Sequence, residues 1–369
     1  MAIAMEIDFE NIGTRVQAVE NAKEVKEVAG ALVVNVHANF VIEGADRFTD
    51  MVFPHMMQRR AQIKAAEVNG SLMYVPANET PANWSRPFRR PDFADEWKAL
   101  KKAWSLHNRN REKLAAKVRE AASELYYKDE PLKDLPDWVW RFCMFLGATH
   151  YQKALLTMHD EIRGVLHDPR IAQLLDEYGK GVGERSRRYF DVLRDYFAGW
   201  SEFSQVHFAV AHGMPVAEGH VATTSAFQAV RMFYGNTFEV LASSADLLAF
   251  MNNVLSGRHW SQFQQIDAET YLKSDKAKRF DSFADRPAFI NLCAERDNQL
   301  RNASHHGALK FDSETGLISY HVGKGNTGTL VTMSYADYLS RCSAIFFQTI
   351  TLLRFELLIC NQTKTPYPV

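Results

Sequence analysis

The stretch from 334 to 360 reads SYADYLSRCSAIFFQTITLLRFELLIC, and its spacing decides the fold class. Apolar residues recur at Tyr335, Leu339, Cys342, Phe346, Ile350, Leu353, Leu357 and Cys360. Steps of three and four place them on one face of a helix that turns about 100° per residue. Ser334, just before the stripe, is an N-cap whose side-chain oxygen suits a backbone N–H of the first turn. Working back along the chain, Phe190, Leu193, Phe197, Trp200 and Phe203 form a second stripe. A third, opened by Thr223 to Ser225, carries Phe227, Val230, Tyr234, Phe238, Leu241, Leu248 and Leu255. A fourth starts near Pro287, a residue favoured in a helix's first turn, and runs through Phe289, Leu292, Cys293 and Leu300 to Gly307.

The spacing therefore predicts an all-α protein whose C-terminal part, 181–369, is a four-helix bundle. Between the histidine-rich helix and the last one lies GALKFDSETGLISYHVGKGNTGTLVTMS, residues 307–334. Two alternating apolar runs flank Gly316, and a glycine-rich turn follows, which predicts a small inserted β-hairpin. No Lys-Ser/Thr pair follows GKGNTG, so it reads as a tight turn and not as a phosphate loop. The N-terminal part, 1–180, reads as a helical region, with helices near 14–30, 44–68, 92–127 and 136–167. Residues 69–92 carry four prolines and read as an irregular loop. The glycine-rich stretch DPRIAQLLDEYGKGVG, 168–183, is the expected boundary between the two parts.

A hydrophobic fraction of 46% and a charged fraction of 24% over 369 residues are those of a globular chain, neither disordered nor fibrous. The net charge of −1 excludes a polycation built to coat nucleic acid. Positive charge is instead local: eleven Lys/Arg stand against four acids between Arg86 and Arg119, with Trp84, Trp97 and Trp104 close by. Arg86, Arg89 and Arg90 are candidate contacts to an RNA backbone. The competing reading is a solvated helix face whose tryptophans point into the core. Cys143, Cys293, Cys342 and Cys360 are widely separated and form no C-x-x-C pair, so they read as reduced core thiols. The opening MAIAMEIDFENIG lacks a basic signal-peptide n-region, and no membrane-spanning run stands out, so the expected location is the cytoplasm.

The chemistry concentrates in ERDNQLRNASHHG, residues 295–307. On a helix, Asn302 and His306 share a face, as do Arg301 and His305, because residues four apart are neighbours. Arg301 and His306 stand about 140° apart unless the helix loosens near Gly307. Asp297, one turn before Arg301, is placed to hold its guanidinium. Arginine offers a planar fork that matches a phosphate, and histidine, with a pKa near about 6.5, moves protons at neutrality. With asparagine as donor and acceptor, these groups suffice to bind a phosphodiester and transfer a proton without a metal. The competing reading is a polar helix end in solvent. Zinc fails on spacing: His305 and His306 are adjacent, no H-E-x-x-H occurs, and the cysteines are scattered, so no metal or cofactor is expected. There is no G-x-S-x-G elbow either. His321, in the hairpin, reads as a surface residue, or as a further histidine approaching the site.

The run LRNASHHG resembles the mark of the HEPN superfamily, R-x(4 to 6)-H with a polar residue after the arginine, near the end of the third helix of a small bundle. The resemblance covers about 183–361 and does not reach the N-terminal part. It implies a HEPN-like bundle and a metal-independent endoribonuclease of a toxin or antiviral defence system. Carried over residue by residue, Arg301 would stabilise charge on the phosphate, Asn302 would orient, and His306 would transfer the proton, with His305 and Asp297 in support. The RNA's own 2′-OH would be the nucleophile, leaving a 2′,3′-cyclic phosphate and a 5′-OH. The resemblance further implies RNA as partner, a homodimer with the two motifs facing each other, and an antitoxin or defence-system partner. The alternative within the family is a non-catalytic adaptor or sensor that binds RNA or nucleotide through the same groove.

Overall fold

The computed structural model describes residues 2–8, 13–20 and 93–369, apart from residue 129 and residues 217–221, 225 and 324–327. The helix expected at 44–68, residues 21–30 of the one expected at 14–30, the loop at 69–92, Trp84 and the candidate contacts Arg86, Arg89 and Arg90 lie outside the described residues, as does the centre of the glycine-rich turn.

The described chain is mostly helical with two small antiparallel sheets. Its centre is α14, Tyr335–Thr363, which follows the stripe read from the sequence: Leu339, Cys342, Phe346, Ile350, Leu353, Leu357 and Cys360 are all buried. Ser334 caps it, accepting the N–H of Asp337 at 3.0 Å, and Lys364 ends it in the left-handed conformation. An 18-residue window of α14 is long and apolar enough to cross a membrane, but 89% of it is buried inside the fold, as in the core helix of a bundle.

Around α14 lie α3 (Leu135–Leu146), α4 (Ala148–Ile162), α6 (Val182–Ala198), α7 (Trp200–Ala211) and α9 (Phe233–Ser244). Two other helices, α1 (Phe93–His107) and α2 (Glu112–Tyr126), form a hairpin where one helix was expected over 92–127. The break comes at Asn110, whose φ of 55° is a conformation asparagine tolerates better than most residues. Trp97 and Trp104 of α1 are buried, whereas Lys98, Lys101 and Lys102 are exposed, so these two tryptophans belong to the core. The glycine-rich stretch expected as a boundary contains α5, Pro169–Gly179, capped by Asp168. One hydrophobic core runs from Trp97 to Val369, drawing on helices from both sides of residue 180.

Several expected long helices are broken. The second stripe continues from α6 into α7 across Gly199, where a Cβ would come within 2.7 Å of Val230. The third divides into α8 (Phe227–Val230), α9 and α10 (Asp246–Leu255). After α11 (Ala268–Lys273) and a 3-10 turn, Lys276–Phe283, the helix expected from Pro287 to Gly307 is two short pieces, α12 (Pro287–Ile290) and α13 (Asn298–His305). The inserted hairpin is present and gains a strand: β3 (Lys310–Asp312), β4 (Leu317–His321) and β5 (Leu330–Ser334) pair antiparallel in that order, with Ile318 opposite Met333. At the N-terminus, residues 13–20 are a strand, β2, paired antiparallel with β1, Ala2–Asp8, and not the start of a helix over 14–30. Ile3, Met5 and Ile7 recur every second residue, as do Val16 and Ala18, a period that runs this short hide inside a helical reading.

Candidate active site

The motif sits on α13, and its local fold follows from two capping devices. Asp297 is the N-cap; its carboxylate accepts the N–H groups of Gln299 at 2.8 Å and Leu300 at 3.0 Å. At the other end, the N–H of Gly307 bonds to the carbonyl of Ser304 at 3.0 Å and that of Ala308 to the carbonyl of Ala303 at 2.7 Å, a Schellman motif that places Gly307 at φ +66°. The helix therefore stays regular through His306, whose N–H still bonds to the carbonyl of Asn302 at 3.0 Å. The loosening that would swing Arg301 and His306 together does not occur.

Close approach to α9 sets the rest. Ser304 is buried; its hydroxyl accepts the N–H of Gly235 at 3.0 Å and donates to the carbonyl of Arg231 at 2.8 Å. A Cβ on Gly235 would lie 2.7 Å from the backbone nitrogen of His305 and 3.0 Å from the carbonyl oxygen of Arg301, so only glycine permits this crossing. One turn along α9 from Gly235, Glu239 then lies over Arg301.

Arg301 is consequently held by Glu239 and not by Asp297. Its Nε donates to Glu239 Oε1 at 2.6 Å, its Nη2 pairs with the same oxygen, and its Nη1 donates to Asn302 Oδ1 at 2.7 Å. These contacts use the Nε–H and one hydrogen on each terminal nitrogen, so each terminal nitrogen keeps a second N–H for a ligand oxygen. Lys276, from the 3-10 turn, pairs with the other oxygen of Glu239 at 2.7 Å. Burial alone would raise the Glu239 carboxyl, but hydrogen bonds from Lys276 and Arg301 outweigh it and hold it below its ordinary value. Asp297 turns its second oxygen to Arg341 at 3.0 Å, and Arg341 also meets Glu295 at 2.8 Å. This second pairing ties Glu295 and Asp297 to Arg341 of α14.

Both histidines are exposed, with ring centroids 5.5 Å apart at 77°. His321 is exposed at the end of β4 and is bonded through Nδ1 to the carbonyl of Gly328 at 3.0 Å. The structure thus brings Arg301 and Asn302 together with Glu239 and Lys276, and leaves His305 and His306 free at the helix end. Glu239 and Lys276 escaped the sequence reading because they lie far along the chain from Arg301; Gly235 inside an otherwise helical pattern was the one local hint.

Among the described residues, no three His, Cys, Asp or Glu stand where they would hold a metal ion. The four cysteines are free and buried, and burial pushes Cys143 and Cys293 up to about 12 and Cys360 to about 11. No protein-family model, curated protein or solved structure matches the chain.

Proposed function

We propose that the protein is a metal-independent endoribonuclease of the HEPN type, acting in the cytoplasm as a toxin or in antiviral defence. The observation that carries the reading is Arg301, fixed by Glu239 and Asn302 with N–H groups to spare, on a short helix that ends in an exposed His306. A guanidinium held this way is preorganised for a phosphate oxygen, which favours charge developing in the transition state over the same arginine moving freely. Asn302 orients Arg301 through its Oδ1, and His306, in solvent, is the group for proton transfer. The RNA 2′-OH attacks the adjacent phosphorus, the 5′ oxygen leaves with a proton, and a 2′,3′-cyclic phosphate remains.

The regular helix through His306 supports a composite site. Within one chain, Arg301 and His306 stay about 140° apart on the helix, so a second copy facing the first would supply the missing acid or base. A homodimer with a shared cleft, RNA as substrate and an antitoxin or defence partner belong to this proposal.

Purified protein incubated with RNA in EDTA should cleave it and leave 2′,3′-cyclic phosphate ends. Arg301→Ala and His306→Ala should each lower cleavage about a hundredfold with the fold intact, and His305→Ala less. Mixing the Arg301→Ala and His306→Ala chains should recover part of the activity. Activity that vanishes in EDTA and returns with magnesium would overturn the mechanism. RNA binding without cleavage would favour the adaptor.

A further inference from the structure

Helix α2 carries more apolar surface than its neighbour covers. Packed against α1, it buries Ala115, Ala122 and Ser123. Beside that buried face runs a second stripe of Leu114, Val118, Ala121 and Leu125. Val118 is half-buried and Ala121 exposed, while Leu114 is 47% and Leu125 71% exposed. Of the large hydrophobic side chains among the described residues, Leu125 is the most exposed.

The steps along this stripe are four, three and four, the repeat of a coiled-coil seam. They read the same in either direction. A second copy of α2 laid antiparallel across a two-fold axis therefore sets Leu125 against Leu114 and Ala121 against Val118, in both halves of the contact. Charges fit the same arrangement. Lys117 and Glu124 flank the stripe on the side away from α1, one heptad apart. Antiparallel pairing faces Lys117 with Glu124 of the second copy, twice over, whereas parallel pairing would face Lys117 with Ala122.

We propose that α2 is a pairing surface for a second copy of this chain, joined antiparallel through Leu114, Val118, Ala121 and Leu125. The pairing is independent of the ribonuclease reading: it holds two chains together whether or not their Arg301 and His306 meet. A helix of 15 residues covers less than the roughly 800 Å² per partner of a standard interface, the size class of weak, reversible contacts.

Sedimentation velocity of the full chain from about 1 to about 200 µM tests this. The average mass should rise across the range, from one chain to two or, where the Arg301 and His306 faces also pair, from two to four, and Leu125→Glu should abolish that rise. That side chain stands mostly in solvent in the single chain, so circular dichroism and the melting temperature should be unchanged. Lys117→Glu should weaken pairing about tenfold by turning two attractive contacts repulsive, and adding Glu124→Lys should restore it. A wild-type chain whose mass does not rise with concentration overturns the proposal, as does a Leu125→Glu chain whose mass rises like that of wild type. A double swap no tighter than the single one overturns the antiparallel register. A monomeric wild type combined with a Leu125→Glu chain that melts several degrees lower would assign the stripe to residues 21–92 of the same chain.

Discussion

Replacing Gly235 with alanine should destabilise the protein, although in an open helix interior the same change stabilises by about 1 kcal/mol. The added Cβ would stand 2.7 Å from the nitrogen of His305, 2.9 Å from its Cβ and 3.0 Å from the carbonyl oxygen of Arg301. Two of these are backbone atoms of a helix capped at both ends, so no side chain can rotate out of the way. Restoring ordinary contact at about 3.5 Å or more moves α13 by nearly 1 Å. The Gly235 N to Ser304 Oγ bond, now 3.0 Å, would stretch past the useful limit. Overpacking costs about 1–3 kcal/mol and the lost hydrogen bond about 1 kcal/mol, against about 1 kcal/mol gained from propensity, for a net loss of about 1–3 kcal/mol. Urea unfolding followed by circular dichroism measures that loss. Because the same shift draws Arg301 away from Glu239, RNA cleavage in EDTA should fall along with stability. A Gly235→Ala protein as stable as wild type would refute the close crossing and the route by which α9 positions Arg301.

Glu239→Gln removes the charge that clamps Arg301 and Lys276, so kcat for RNA should drop about tenfold while KM holds or falls, the groove having lost a negative charge; an unchanged kcat would deny Glu239 a positioning role. His207 is buried neutral, its hydroxyl partner Tyr196 at 3.0 Å, and burial followed by the nearby His212 charge takes its pKa from 6.5 down to about 3. A depressed pKa gives stability that is fully present above the ordinary value and drains away as pH falls from about 6.5 toward 3, at up to about 1.4 kcal/mol per pH unit. His207→Phe should flatten that decline in urea midpoints between pH 7 and pH 5, because Tyr196 keeps Ser343 as a partner; an identical slope would locate the acid sensitivity elsewhere.

By itself the sequence determined α14, the helical class, and the end of the motif helix at Gly307. These rest on apolar periodicity, an N-cap serine and a glycine stop, all properties of residues within a turn or two of one another. The four buried thiols and the two tryptophans of α1 were legible for the same reason, since their burial follows from type and spacing. Only the tertiary structure decided where the other helices break and which charges meet. Asp297 was placed by spacing to hold Arg301, but its oxygens cap α13 and reach Arg341, 44 residues further on, while Glu239, 62 residues back, takes the guanidinium instead. Local spacing offers an acid every arginine it can reach; it does not rank them. The ranking came from a backbone approach that Gly235 allows, which carries Glu239 over Arg301 and leaves His306 in solvent at the end of a helix that does not unwind.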